Sequence, residues 1–127
     1  ELQVNAENHE ASGFNAMSQL LDSGETFDAV FAASDLIAIG AMKCLRKAGF
    51  EVPRQVSVVG FDDIPAAAYS GPSLTTVRQD TKIAAKVLVE NLISMINGEP
   101  VESRLLPMSL VIRGSCGGRI PGAPDEP

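Results

Sequence analysis

No apolar run in this 127-residue chain approaches the roughly 18–20 residues that span a bilayer, which excludes a membrane helix. Basic residues are also scarce. Ten Lys and Arg stand against 16 Asp and Glu, for a formal charge of −6. A grip on a phosphate backbone needs clustered Lys and Arg, so this stretch does not read as a stand-alone nucleic-acid binder. Cysteine occurs twice. Cys44 and Cys116 lie far apart and make no disulfide framework, as expected of a reduced, cytosolic chain. Residues 1–10 lack the basic and apolar blocks of a signal peptide. Paired-Cys metal motifs, phosphate-cradling Gly loops and internal repeats are all missing. What remains is a chain with 45% hydrophobic residues. That is enough apolar content for a core, at a length that suits one domain.

The apolar spacing predicts a helix over 10–22, with Ala11, Phe14, Met17, Leu20 and Leu21 on one face and Gly24 closing it. FDAVFAA (27–33) reads as a strand covered on both faces. Ser34 and Asp35 follow, either able to cap a helix over 35–48 that Gly49 and Pro53 end. VSVVGF (56–61) is a second buried strand, followed by Asp62-Asp63 and a short helical piece, IPAAAYS. LTTV (74–77) is a third strand. The longest helix covers 80–96, with Ile83, Ala84, Val87, Leu88, Leu92, Met95 and Ile96 as its apolar stripe. RLLPMSLVIR (104–113) reads as two strand pieces divided at Pro107, and the Gly- and Pro-rich run from Gly114 as a frayed tail.

Strands alternating with helices indicate an α/β fold around a largely parallel sheet. Such sheets bind ligands outside the carboxyl ends of their strands. That rule selects Ser34-Asp35 and Asp62-Asp63. One carboxylate of the second pair could accept hydrogen bonds from a polyol or a base. Alternatively, Asp63 caps a helix beside a solvated neighbour; Ser34-Asp35 carries the same two readings, with capping the favoured role of Asp35. Carboxylates at strand ends also raise a Mg²⁺-dependent phosphoacceptor. Such a domain wants a Lys near a late strand end, whereas Lys43, Lys47 and Lys86 fall within helices and Lys82 in a first turn. No metal ligand set and no cofactor is assigned. GSCGG (114–118) has the spacing of a nucleophile elbow, but that motif needs a following helix, which Gly, Pro and acid cannot supply. The single His9 sits in the polar run NAENHE, so no catalytic residue is assigned. Arg113, closing the last strand, has a structural ion pair as its default role.

The runs SDLIAIGAMKCLRKAGFEVPRQVSVVGFDDIPAAAY (34–69), GPSLTTVRQD (71–80) and LLPMSLVIR (105–113) together resemble the LacI/GalR transcriptional regulators. The resemblance extends from about Ser12 to Arg113 and rests on the order and spacing of these pieces. It implies a parallel-sheet, three-layer α/β sandwich of the periplasmic-binding-protein-like type I class, here incomplete. Residues 1–70 would belong to the C-terminal subdomain of an effector domain. Residues 71–107 would cross to the N-terminal subdomain, 108–113 would return as a strand, and 114–127 would form a flexible tail. The chain begins at Glu1 rather than Met, as a fragment or processed product would.

The resemblance further implies that Asp62 is the cleft carboxylate that binds ligand hydroxyls or ring nitrogens. Ser34 falls where many members carry Asn. Asn8 lies near a position often occupied by a stacking aromatic, and Thr81 is a further cleft candidate. Ile39, Met42, Lys43 and Arg46, on the outer face of the second helix, resemble dimer-interface positions, as do Ala66 and Tyr69. The implied partners are a small effector such as a sugar, a second copy of the chain, and operator DNA held by a separate N-terminal headpiece. The setting is cytoplasmic, with no membrane. The other reading of the same fold is a periplasmic or transporter-associated sugar-binding protein.

Overall fold

The computed structural model describes residues 2–118. Helix α1 (Glu10–Asp22) begins at His9, whose Nδ1 accepts the Ser12 N–H at 3.0 Å. The lone histidine is therefore a helix cap. Strand β1 (Ala29–Phe31) leads into helix α2 (Asp35–Lys47), where the Ser34 Oγ accepts the Ile37 N–H at 3.3 Å. Ser34, not Asp35, is the residue that satisfies an orphan amide of the first turn. Helices α1 and α2 cross backbone against backbone. A Cβ at Gly13 would stand 2.2 Å from the Ile37 carbonyl oxygen, and one at Gly40 would stand 2.0 Å from that of Glu10.

Helix α2 is gripped between α1 and strand β2 (Ser57–Asp62). It buries Ala38, Ile39, Ala41, Met42, Cys44 and Leu45. This corrects the expectation that Ile39 and Met42 face outward: both are core residues, 7% and 4% exposed. Lys43 and Arg46 do remain on the surface. Burial pushes the Cys44 thiol up from its ordinary value, with the nearby Asp22 charge adding to the effect.

A short helix α3 (Pro65–Tyr69) connects β2 to strand β3 (Thr75–Gln79). Helix α4 (Thr81–Ile96) then leads to strand β4 (Met108–Val111). The sheet order is β1-β2-β3-β4, with β1, β2 and β3 parallel and β4 antiparallel to β3. The α/β fold around a largely parallel sheet is as expected; the sheet is open, and β4 is an antiparallel strand at one edge. Pro107 immediately precedes β4, and residues 104–106 form no strand, so the expected two pieces reduce to one.

Three further expectations change. Strand β1 is not covered on both faces, since Phe31 is 67% exposed and Ala29 is also exposed. Helix α4 forms where its periodicity predicts but buries none of its residues. Leu88, Leu92, Met95 and Ile96 are more than half exposed, because no described element packs on that stripe. Finally, the run from Gly114 is docked at its start. Gly114–Cys116 make a 3₁₀ turn, Gly117 takes φ 66°, and Ser115 is fully buried. The Ser115 hydroxyl donates to the Val58 carbonyl at 2.6 Å and accepts the Thr75 N–H at 2.8 Å. The remainder of the expected tail, 119–127, lies outside the described residues.

Candidate functional site

Because β1, β2 and β3 run parallel, their carboxyl ends share one edge of the sheet, where Ser34, Asp62 and Thr81 emerge. Ser34 is nearly buried, and its hydroxyl donates to the Asn8 Oδ1 at 2.6 Å. Two residues 26 positions apart thus meet as one polar pair. Thr81 is exposed at the first turn of α4, after the capping Asp80. Its hydroxyl forms no hydrogen bond with Asp62, Ser34 or Asn8.

Asp62 ends β2 with φ 113°, and Asp63 follows with φ 56°. Left-handed backbone at two consecutive non-glycine residues is uncommon, and here it sends the two carboxylates in different directions. Asp62 remains partly exposed, and its Oδ1 accepts the Gln79 Nε2–H at 3.2 Å. Asp63 turns inward. Its side chain is 9% exposed, with Oδ1 accepting from Arg113 Nη2 at 2.6 Å and Oδ2 from Arg78 Nε. Burial would push the Asp63 carboxyl up, but the hydrogen bonds and charges of Arg113 and Arg78 outweigh it and hold the group below its ordinary value. Asp63 is therefore an ion-pair anchor and not a helix cap, since the cap position of α3 is Ile64. Arg113 takes the structural ion-pair role expected of it.

This division of labour weakens the Mg²⁺ reading, because both Asp63 oxygens are occupied by guanidinium groups. Asp35 is likewise committed. It is fully buried and accepts from the Thr76 hydroxyl at 2.6 Å and the Ile64 N–H at 2.9 Å. Among the described residues, no three His, Cys, Asp or Glu side chains cluster as a metal site. An ionised carboxylate is purely an acceptor with several lone-pair sites. Asp62 spends only one of these on Gln79, so the edge can receive hydroxyl or N–H donors of a small ligand.

Of the expected interface residues, Tyr69 is 89% exposed and Ala66 is exposed beside it on α3. Lys43 pairs with Glu10, and Arg46 donates to the Gly71 carbonyl at 3.2 Å. Sequence reasoning missed Gln79, the partner of Asp62. The sequence reading of the third strand stops at Val77, whereas β3 runs on to Gln79. It also missed Thr76, which periodicity marks only as a strand residue.

The family model for the periplasmic binding protein-like domain matches residues 2–116. The chain is 42% identical over 101 residues to the HTH-type transcriptional regulator CelR of Thermobifida fusca, covering 80% of this chain and 28% of that protein. It is 38% identical over 106 residues to the HTH-type transcriptional repressor MelR of Bacillus subtilis, covering 83% and 31%. Against the lactose operon repressor of Escherichia coli the figures are 37% over 103 residues, 80% and 29%. The chain thus spans about a third or less of the length of these curated relatives.

Among solved structures, a CelR–cellobiose complex superposes with a TM-score of 0.80 at 38% identity, over 87% of this chain and 34% of that one. A lac repressor dimer bound to operator and the anti-inducer ONPF gives 0.79 at 35% identity, over 85% and 38%. These relatives are transcriptional regulators and repressors. No helix among the described residues is long and apolar enough to cross a membrane. The chain belongs to the periplasmic binding protein-like domain family, in the form carried by the effector domains of LacI/GalR-type regulators.

Proposed function

We propose that this chain is the effector-binding part of a LacI-type transcriptional repressor, taking a small polyhydroxylated ligand at the carboxyl edge of its parallel strands. The observation that carries the reading is Asp62. It is a partly exposed carboxylate at the end of β2, turned by left-handed backbone away from the ion-paired Asp63 and braced by Gln79. Asn8, Ser34 and Thr81 are the further contacts. Cellobiose, the ligand of the related CelR complex, is the first sugar to try.

The exposed stripe of α4 supports a two-lobed domain. In that reading residues 1–70 belong to the C-terminal lobe, 71–107 cross to the other lobe, and 108–113 return. The exposed Tyr69 and Ala66, with Lys43 and Arg46, form a dimer contact. Operator DNA is held by a headpiece outside this chain, and the protein acts in the cytoplasm without catalysing a reaction. The ligand prefers one orientation of the lobes, and that preference shifts the population seen by DNA. The regulators among the relatives favour this reading over a transporter-associated sugar binder.

The test is calorimetric titration of the intact protein with cellobiose and other disaccharides, with operator affinity measured on the same sample. Saturable binding that changes operator affinity is expected. Saturable binding with no effect on DNA in any condition would favour the transport-associated reading.

A further inference from the structure

The turn that presents Asp62 is held from beneath by groups no ligand can touch. Asp35 is 0% exposed at the start of α2. Its Oδ2 accepts the Ile64 N–H at 2.9 Å, and its Oδ1 accepts the Thr76 hydroxyl at 2.6 Å. Thr76, also 0% exposed, in turn accepts the Asp63 N–H on its Oγ1 at 3.3 Å. One buried carboxylate and one buried hydroxyl therefore hold the two successive amides that follow Asp62.

Those amides need holding. Asp62 at φ 113° and Asp63 at φ 56° occupy backbone that non-glycine residues keep only when the surroundings over-determine it. Strand β2 makes room for the brace at Gly60, where a Cβ would fall 2.3 Å from the Asp35 Oδ1. None of the ion pairs among the described residues includes Asp35. A buried carboxylate facing only neutral donors is a costly way to fasten a helix to a sheet, since an apolar side chain would serve. Its two acceptor oxygens suit a different task, which is fixing the geometry of a turn.

We infer that Asp35 is a positioning residue for ligand binding: acting with Thr76, it fixes the left-handed backbone of Asp62 and Asp63 and so aims the Asp62 carboxylate at the ligand. This rests on the reading of Asp62 as the effector carboxylate. It adds a buried layer to that site whose failure can be seen without ligand.

The experiment uses the intact protein and the pair Thr76→Val and Thr76→Ser, which avoids emptying the core at Asp35. Amide hydrogen exchange is read residue by residue, and cellobiose is the titrant. Thr76→Val removes both hydrogen bonds of that hydroxyl, the one to Asp35 and the one from the Asp63 N–H; exchange at Asp63 and Ile64 then rises about tenfold more than at Val58 and Gly60 in β2, and the cellobiose Kd rises about tenfold. Thr76→Ser, which keeps the hydroxyl, restores both. An even rise in exchange across the sheet overturns the inference, as does a local rise that leaves the Kd unchanged. If the unmodified protein does not bind cellobiose, the effector reading fails for that sugar. An even exchange pattern then overturns the brace itself, whereas a local one leaves a brace of the turn and overturns its role in binding.

Discussion

Asp63 and Arg113, 50 residues apart in the chain, meet at 2.6 Å and tie the end of β2 to the segment that follows β4. Arg113 also donates from Nη1 to the Leu74 carbonyl at 2.8 Å, while its backbone N–H donates to the Thr75 hydroxyl oxygen at 2.8 Å. The pair fastens three segments at the root of the β3–β4 ribbon. With side chains 9% and 17% exposed, removing one partner strands the other in a poorly solvated site. Asp63→Ala is expected to cost about 3 kcal/mol of stability, measured by urea denaturation.

The same carboxyl carries an acid dependence. Its folded value lies below the ordinary 3.8, so its stabilising contribution is fully present above 3.8. That contribution is lost as pH falls through the lowered folded value. The stability difference between the wild type and Asp63→Asn should therefore hold steady from neutral pH down to about 4 and shrink below it. Denaturation midpoints of the two proteins across pH check this. A gap that widens on acidification would contradict the ion-pair account.

Gly13→Ala and Gly40→Ala test the crossing of α1 and α2. Alanine in a helix interior ordinarily gains about 0.5–1 kcal/mol over glycine. Here the added methyl meets backbone oxygen at 2.2 and 2.0 Å, and backbone cannot step aside as a flexible side chain can. Overpacking of this kind costs about 1–3 kcal/mol, so the net sign is destabilising. A lowered melting temperature in both variants is the expected outcome.

Much of the fold was legible in the sequence because periodicity and punctuation agree there. Helices α1, α2 and α4 and strands β2 and β3 follow from apolar spacing, Ser34 and the glycines after each helix. Burial was less legible, since an apolar stripe such as that of α4 reports a need for cover and not which element supplies it. The resemblance put Ile39 and Met42 on an outer face, but α2 is enclosed by α1 and β2, and its own pattern does not say by what. At the site, Asp62 and Ser34 follow from strand-end geometry. The separation of Asp62 from Asp63, and the brace from Asp35 and Thr76, depend on φ angles and on contacts 13–41 residues away in sequence. No local signal reaches that far.

The α4 stripe offers its own test. Leu45 is fully buried, whereas Leu92 is 57% exposed. Leu45→Ala should cost about 2–5 kcal/mol wherever it is measured. Leu92→Ala should change the stability of the 127-residue chain by no more than about 0.5 kcal/mol, yet destabilise the intact protein if a second lobe covers the stripe. Paired thermal melts of the two lengths separate these cases.

The effector role of Asp62 is tested most directly by ligand-dependent thermal stabilisation of the intact protein, wild type against Asp62→Ala. A sugar present at about 100 times its Kd stabilises the wild type by about 2.7 kcal/mol. Losing a charged hydrogen bond removes roughly 1.5–3 kcal/mol of binding, so at the same sugar concentration the stabilisation of the variant should fall to about 0.3–1.3 kcal/mol, half the wild-type shift or less. An equal shift in both proteins would contradict the account.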